Sequence, residues 1–158
     1  MKGGAVRGRL TDVPELRRVL HDVLVTQNFG VLCTQGQGHP YGTVVCFATS
    51  DDMARVWFST TRSTRKFTHI QEDDRVAFVV DNAANLPSDL FEALAATGTG
   101  HARELTGADR EAAAERYLAK HPHLKEFATS PNCALVEVKI ETFHVVTRFQ
   151  EVVEIHVG

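Results

Sequence analysis

Arg55-Val56-Trp57-Phe58-Ser59-Thr60-Thr61-Arg62-Ser63-Thr64-Arg65-Lys66-Phe67-Thr68-His69-Ile70 is the stretch on which the reading of this chain turns. Its first five residues have the β-branched and aromatic content of a buried strand, and Phe67 and Ile70 are spaced for one face of a short helix over Thr64–Ile70. Thr64 then falls at the N-cap. The free N–H groups and dipole of a helix start attract an anion, and Arg65 and Lys66 add formal charge beside them. Ser59, Thr60, Ser63 and Thr64 contribute hydroxyl donors. A phosphate monoester, with roughly −1.5 to −2 charges and three acceptor oxygens, would engage most of these groups at once. Arginine presents a planar fork to two of those oxygens. The plainer reading is a solvated helix start whose cations answer the acidic run Glu72-Asp73-Asp74. The place of the cations, between strand exit and helix entry, favours an anion site.

On the N-terminal side, Asp12-Val13-Pro14-Glu15 reads as a capping box, and Val13, Leu16, Val19, Leu20, Val23 and Leu24 recur at helical spacing. A first helix is expected over Val13–Thr26. Strands follow over Phe29–Thr34 and Tyr41–Thr49, parted by the turn-forming Gln35-Gly36-Gln37-Gly38-His39-Pro40. Asp51-Asp52 marks a hairpin turn before the strand at Arg55.

On the C-terminal side, Arg75–Asp81 is a further strand, and Ser88 is placed to cap a short helix through Phe91 and Leu94. Thr97-Gly98-Thr99-Gly100-His101-Ala102-Arg103-Glu104-Leu105 reads as a strand whose glycines imply a bulge or a close approach. Thr106-Gly107-Ala108-Asp109 opens an alanine-rich helix to about Lys120, stopped by Pro122, with His121 meeting its negative end. Two last strands are expected over Cys133–Ile140 and Phe143–His156. Strands outnumber helices and adjoin through turns, which predicts a mainly β (α+β) fold: an antiparallel barrel decorated by helices, not an alternating βαβ layout.

A chain of 158 residues with 43% hydrophobic content can bury one core and is too short for two comfortable domains, so one domain over 1–158 is expected. A net charge of −3 argues against a general nucleic-acid binder. Cys33, Cys46 and Cys133 are odd in number, widely spaced and set in apolar runs, as reduced core cysteines of a cytosolic protein are. The first residues carry no apolar signal region, and the longest apolar runs fall far short of a membrane span. These features imply a soluble, cytoplasmic protein without membrane association. His121-Pro122-His123 has no partnering ligand pattern, so no metal site is assigned. Trp57, Phe58, Phe78 and Phe47 are read as core.

Three stretches, in order, resemble the pyridoxamine 5′-phosphate oxidase-like superfamily of FMN-binding split β-barrels. They are Phe29–Phe47 with its glycine-rich turn and Tyr41-Gly42-Thr43-Val44-Val45-Cys46-Phe47; Val56-Trp57-Phe58-Ser59 followed by Thr64-Arg65-Lys66; and Gly98–Leu105 before a long helix. The resemblance implies a homodimer with flavins in clefts between protomers, and the apolar Val145–Val157 segment is a candidate for that contact. By the same resemblance Ser59, Thr60, Arg65 and Lys66 hold the FMN phosphate, with Ser63 and Thr64 beside them, and backbone groups of Thr43, Val44 and Val45 face the pyrimidine side of the ring. Vitamin B6 oxidases proper carry an Arg and a Lys on the flavin strand, where this chain has Thr43 and Ala48, and end in an Arg-Leu-x-Pro-type segment absent here. Oxidation of pyridoxamine 5′-phosphate is therefore not expected.

The implied function is an FMN-dependent oxidoreductase acting on a small-molecule redox substrate, with no catalytic acid or base assigned. The alternatives are a flavin carrier without turnover, a haem protein using a histidine among His101, His121, His123 and His144, or a protein using the deazaflavin F420, whose longer tail calls for further cations.

Overall fold

The computed structural model describes residues 6–9, 13–148 and 151–157. Its elements run β1 (Val6–Arg9), α1 (Pro14–Thr26), β2 (Phe29–Gly36), β3 (His39–Cys46), β4 (Ala48–Thr49), β5 (Arg55–Thr61), α2 (Arg65–Glu72), β6 (Arg75–Asp81), α3 (Asp89–Glu92), β7 (Ala95–Glu104), α4 (Gly107–Lys120), α5 (Lys125–Ala128), β8 (Cys133–Arg148) and β9 (Glu151–His156). The nine strands form one sheet in the order β1-β9-β8-β7-β6-β2-β3, with β5 on β8 and β4 on β5. Among the described residues only the β1–β9 pair is parallel.

The long strand β8 organises this sheet. β7 lies along one edge, while the other is shared, Cys133–Lys139 pairing with β5 and Thr142–Arg148 with β9. The sheet therefore divides, β5 curling towards β3 to make an antiparallel half-barrel and β9 leading outwards to β1. Phe47, Phe58, Phe78 and Phe143 fill the inner face with Leu32, Val136, Val138 and Val145, and all eight are essentially inaccessible. A second cluster, Trp57, Leu105, Ala113, Tyr117 and Leu135, lies on the outer face of β5 and β8 under α4. The four aromatics expected as core are buried, Trp57 in this outer cluster.

Turn chemistry explains the hairpins. Gln37 and Gly38 both have positive φ, 53° and 79°, as a two-residue primed turn between β2 and β3 requires. That turn is shorter than the six-residue connection expected, and Pro40 lies within β3, where an edge strand tolerates its missing N–H. The glycines of β7 mark a bulge at Thr99/Gly100. A Cβ on Gly100 would lie 1.9 Å from the Lys139 carbonyl oxygen, and one on Gly98 would lie 2.9 Å from Phe143. Asp52 forms the expected turn, accepting from Ser50 Oγ at 2.6 Å and Ala54 N at 3.0 Å.

Other expectations need correction. Cys133–Ile140 and Phe143–Arg148 are one strand, because β7 pairs with it on both sides of the bulge. The strand expected over Phe143–His156 is divided between β8 and β9, residues 149–150 lying outside the described residues. Antiparallel pairing of Phe143 with Ile155 buries both, which a straight 14-residue strand about 46 Å long would not do. The strand expected over Tyr41–Thr49 is broken at Phe47, whose N–H donates to Asn28 O. The N-cap of α1 is Val13, without a side-chain bond; Asp12, the expected cap, lies outside the described residues. Ser88 and Thr106 occupy cap positions without side-chain bonds, and α3 stops at Glu92. Its entry is tied by Asp89 Oδ2, which accepts from Leu86 N at 2.7 Å. The cysteines are free thiols, but Cys33 and Cys46 are only partly buried, their alternation turning them to the outer face. Among the described residues no helix is long and apolar enough to cross a membrane.

Candidate functional site

The half-barrel is incomplete between β3 and β5. β4 pairs with β5 only through Ala48–Trp57 and Thr49–Val56, and the rest of β3 presents a free edge. Because the tight turn makes Gly36 and His39 a hydrogen-bonded pair, alternation along the ladder directs the N–H and C=O of Thr43 and Val45 to β2. Those of Val44, and of Gly42 and Cys46 on either side, face the gap. Among the three residues nominated on this strand, Val44 thus offers the backbone donor and acceptor. Val45 turns its side chain into the core and Val44 is 65% exposed.

Across the gap β5 ends in Ser59, Thr60 and Thr61, and Arg62 and Ser63 lead to α2. Thr64 is the N-cap, as expected, its hydroxyl accepting from Phe67 N at 3.4 Å. The same hydroxyl lies 2.8 Å from Thr60 Oγ1, which ties the strand end to the helix start. Ser63 Oγ is paired with Thr61 Oγ1 at 3.1 Å. Ser59, on the opposite face of β5 from Thr60, directs its hydroxyl to Tyr117 Oη at 2.9 Å. The fold thus gathers Thr60, Ser63, Thr64, Arg65 and Lys66 around one helix start and places the Ser59 hydroxyl behind them.

The cations of this segment have different fates. Arg62 is bound to Glu104 at 2.7 Å and to the Pro131 carbonyl at 2.8 Å. Arg65 has no carboxylate among the described residues; its guanidinium lies over the Tyr41 ring of β3, 5.2 Å from the centroid. Lys66 likewise has no hydrogen-bond or ion-pair partner there, and partial burial lowers its pKa from the ordinary lysine value. Two members of the acidic run are occupied elsewhere, Asp73 with Arg75 and Gln35, and Asp74 with His101, and Glu72 pairs with neither cation among the described residues. These cations therefore do not simply answer it. First-turn N–H groups without intrahelical acceptors, a capping hydroxyl and two uncompensated cations make a donor set that fits a dianionic phosphate.

Sequence reasoning missed what holds the gap in register. Tyr117 of α4 donates to Cys46 O at 3.3 Å while bonded to Ser59, so one phenol spans the two strands. Its burial raises the phenol pKa. His121 is not directed at the helix end. Its Nε2 lies 2.7 Å from the Phe47 carbonyl, and burial lowers its pKa, so the ring donates as neutral imidazole. Lys120 Nζ donates to Leu24 O at 3.0 Å and Gln27 O at 2.6 Å, closing the end of α1. The one signal for this arrangement is a lone Tyr117 on an alanine-rich helix.

The family model for pyridoxamine 5′-phosphate oxidase matches residues 14–147. The chain belongs to this family. Among solved structures that share the fold, a heme binding protein from Mycobacterium smegmatis superposes with a TM-score of 0.77 at 14% identity, over 86% of this chain and 55% of that one. A protein of unknown function from Agrobacterium tumefaciens gives 0.74 at 22% identity, over 85% of this chain and 57% of that one. A FAD-binding protein from Mesorhizobium loti gives 0.66 at 17% identity, over 82% and 90% respectively. This family member thus spans little more than half the length of the first two. No curated protein matches it in sequence.

Proposed function

We propose that the protein binds FMN, with its phosphate at the start of α2, and serves as an oxidoreductase for a small molecule. The observation that carries this reading is the pair of uncompensated cations, Arg65 and Lys66, on a helix start facing the gap between β3 and β5. Thr60 and Thr64 add hydroxyls there, Ser63 lies beside them, and Val44 offers its backbone to the pyrimidine edge of a ring in the gap. Ser59 contributes by fixing Tyr117, which holds Cys46 and the end of β5 together. The flavin would supply hydride or electron transfer, while these residues bind and orient it. With Arg62 held by Glu104, the described part of this segment leaves no further cation beside Arg65 and Lys66 for the longer tail of the deazaflavin F420, which favours FMN.

The same reading gives a homodimer. Val31 of β2 pairs with Val44 of β3 and Val79 of β6, so their side chains line the outer sheet face, with the 61%-exposed Phe29 one step along it. Val145, Ile155 and Val157 are buried in the protomer's own core, so the C-terminal strands would contribute Val146 and Val152 instead. Haem binding is the second reading, favoured by the likeness to the heme binding protein. Against it, His101 is held by Asp74 and Glu141, His121 by Phe47 O and His144 by Glu154; His123, exposed and in edge contact with the His121 ring, is the candidate left to this reading.

The visible spectrum of the purified protein separates the two, through flavin bands or a Soret band. Arg65→Ala should weaken FMN by about tenfold to a hundredfold, the effect of losing charge-assisted hydrogen bonds. Equal retention by variant and wild type would refute the phosphate assignment. Oxidation of a reduced nicotinamide by the flavin-loaded protein divides an enzyme from a carrier.

A further inference from the structure

A second group of cations converges on a cleft at the other end of β5. Arg55 and Trp57 of β5, Glu137 of β8, Arg103 of β7 and Arg116 of α4 line a cavity of about 370 Å³. Its β5 residues lie three to five positions, or about 10–17 Å, along the strand from Thr60. The register explains the convergence, since Trp57 and Arg103 flank Glu137 on one row and Arg55 stands opposite Lys139 on the next. Glu137 is 94% buried at the floor, accepting from Trp57 Nε1 at 3.0 Å and from Arg103 at 3.2 Å, with Arg55 at 3.7 Å. Arg116 covers the Trp57 ring at 5.7 Å.

We propose that this cleft is a second anion site, for a phosphate-bearing small molecule, independent of flavin at α2. One buried carboxylate engages Arg55 and Arg103, and further N–H groups of both, and of Arg116, have no partner among the described residues that line the cavity. The remaining acidic partners are Asp109 on Arg103 and Asp51 on Arg116, whose side chains are 69% and 86% exposed. Exposed pairs of that kind are weak and readily exchanged for a ligand anion. Lys139, without a partner among the described residues, adds charge on the same face. The three guanidinium groups approach from β5, β7 and α4, an arrangement that suits the non-coplanar oxygens of a phosphate better than a planar carboxylate. The volume lies at the small end of the range for ligand pockets.

Trp57 is the sole tryptophan and reports on the cleft directly. Titrating the ¹⁵N-labelled protein with inorganic phosphate, against chloride at matched ionic strength, should give a saturable shift of the indole N–H resonance. Arg55→Gln and Arg116→Gln should each raise the half-saturating concentration about tenfold, and Arg116→Lys, which keeps charge and stem, by less. Arg65→Ala should leave the response intact. A shift that chloride reproduces, arginine variants that saturate with wild type, loss of the response in Arg65→Ala, or tighter binding of succinate than of phosphate would each overturn the proposal. The Arg65→Ala arm separates failure here from failure of the flavin reading.

Discussion

The C-terminal end of β5 meets α2 with Arg65 and Lys66 free of carboxylates among the described residues, whereas its N-terminal end holds Arg55 and Arg103 around the buried Glu137. The same strand thus presents cations in two electrostatic states. The difference arises from what stands opposite. Residues on β5 proper have β8 beside them and β7 beyond it at fixed register, and one carboxylate on that row collects the nearby arginines. Residues beyond Thr61 leave the sheet, and among the described residues the carboxylate that meets this segment, Glu104, is taken by Arg62. The first end should hold an anion without displacing a competitor. The second must exchange its exposed Asp51 and Asp109 partners, so its affinity should be lower.

Removing the carboxylate is the strongest way to break this contrast. Glu137→Ala deletes acceptors for Arg103 and the Trp57 indole, at a cost of about 2–3 kcal/mol measurable by urea unfolding. The surviving folded fraction should bind phosphate at Trp57 more tightly than wild type. At the other end Arg65→Ala should lower FMN affinity while moving the unfolding midpoint little, because its side chain is exposed.

A smaller effect is expected at the phenol between the ends. Tyr117→Phe loses the bonds to Ser59 and Cys46 O, and should cost about 1 kcal/mol in unfolding free energy. FMN affinity should fall as well if the phenol sets the gap; an unchanged affinity would confine Tyr117 to packing.

The smallest differences are in pH dependence, and two histidines should act with opposite signs. His121 is held neutral, with a folded pKa below that of the unfolded chain, so unfolding takes up a proton in acid. Its stabilisation is complete above about pH 6.5 and is lost as pH falls through the folded value. His101 is raised, chiefly by its bond to Asp74, so its contribution is present below about pH 6.5 and disappears as pH rises through the folded value. Comparing wild type with His121→Gln and His101→Gln between pH 5 and 9, the stability gap should narrow in acid for the first and in base for the second.

Much of this was legible locally. Thr64 as a cap, the helix from Gly107 to Lys120 and the Asp51-Asp52 turn each follow from interactions within a few residues, which the sequence displays directly, while the bulge was signalled by the β7 glycines although its partner is β8. The segment Phe143–His156 misled because an apolar run of this kind is equally compatible with one strand or a hairpin, and only pairing of Phe143 with Ile155 decides.

By itself the sequence determined the strand-rich class, the helix start at Arg65 and the gathering of hydroxyls and cations there, because capping, periodicity and charge act over short separations. Tertiary structure alone decided which cations are spent and which are free. Glu104 meets Arg62 across 42 positions, Glu137 meets Trp57 across 80 and Tyr117 reaches Cys46 across 71, and such partnerships exist only once the sheet has curled.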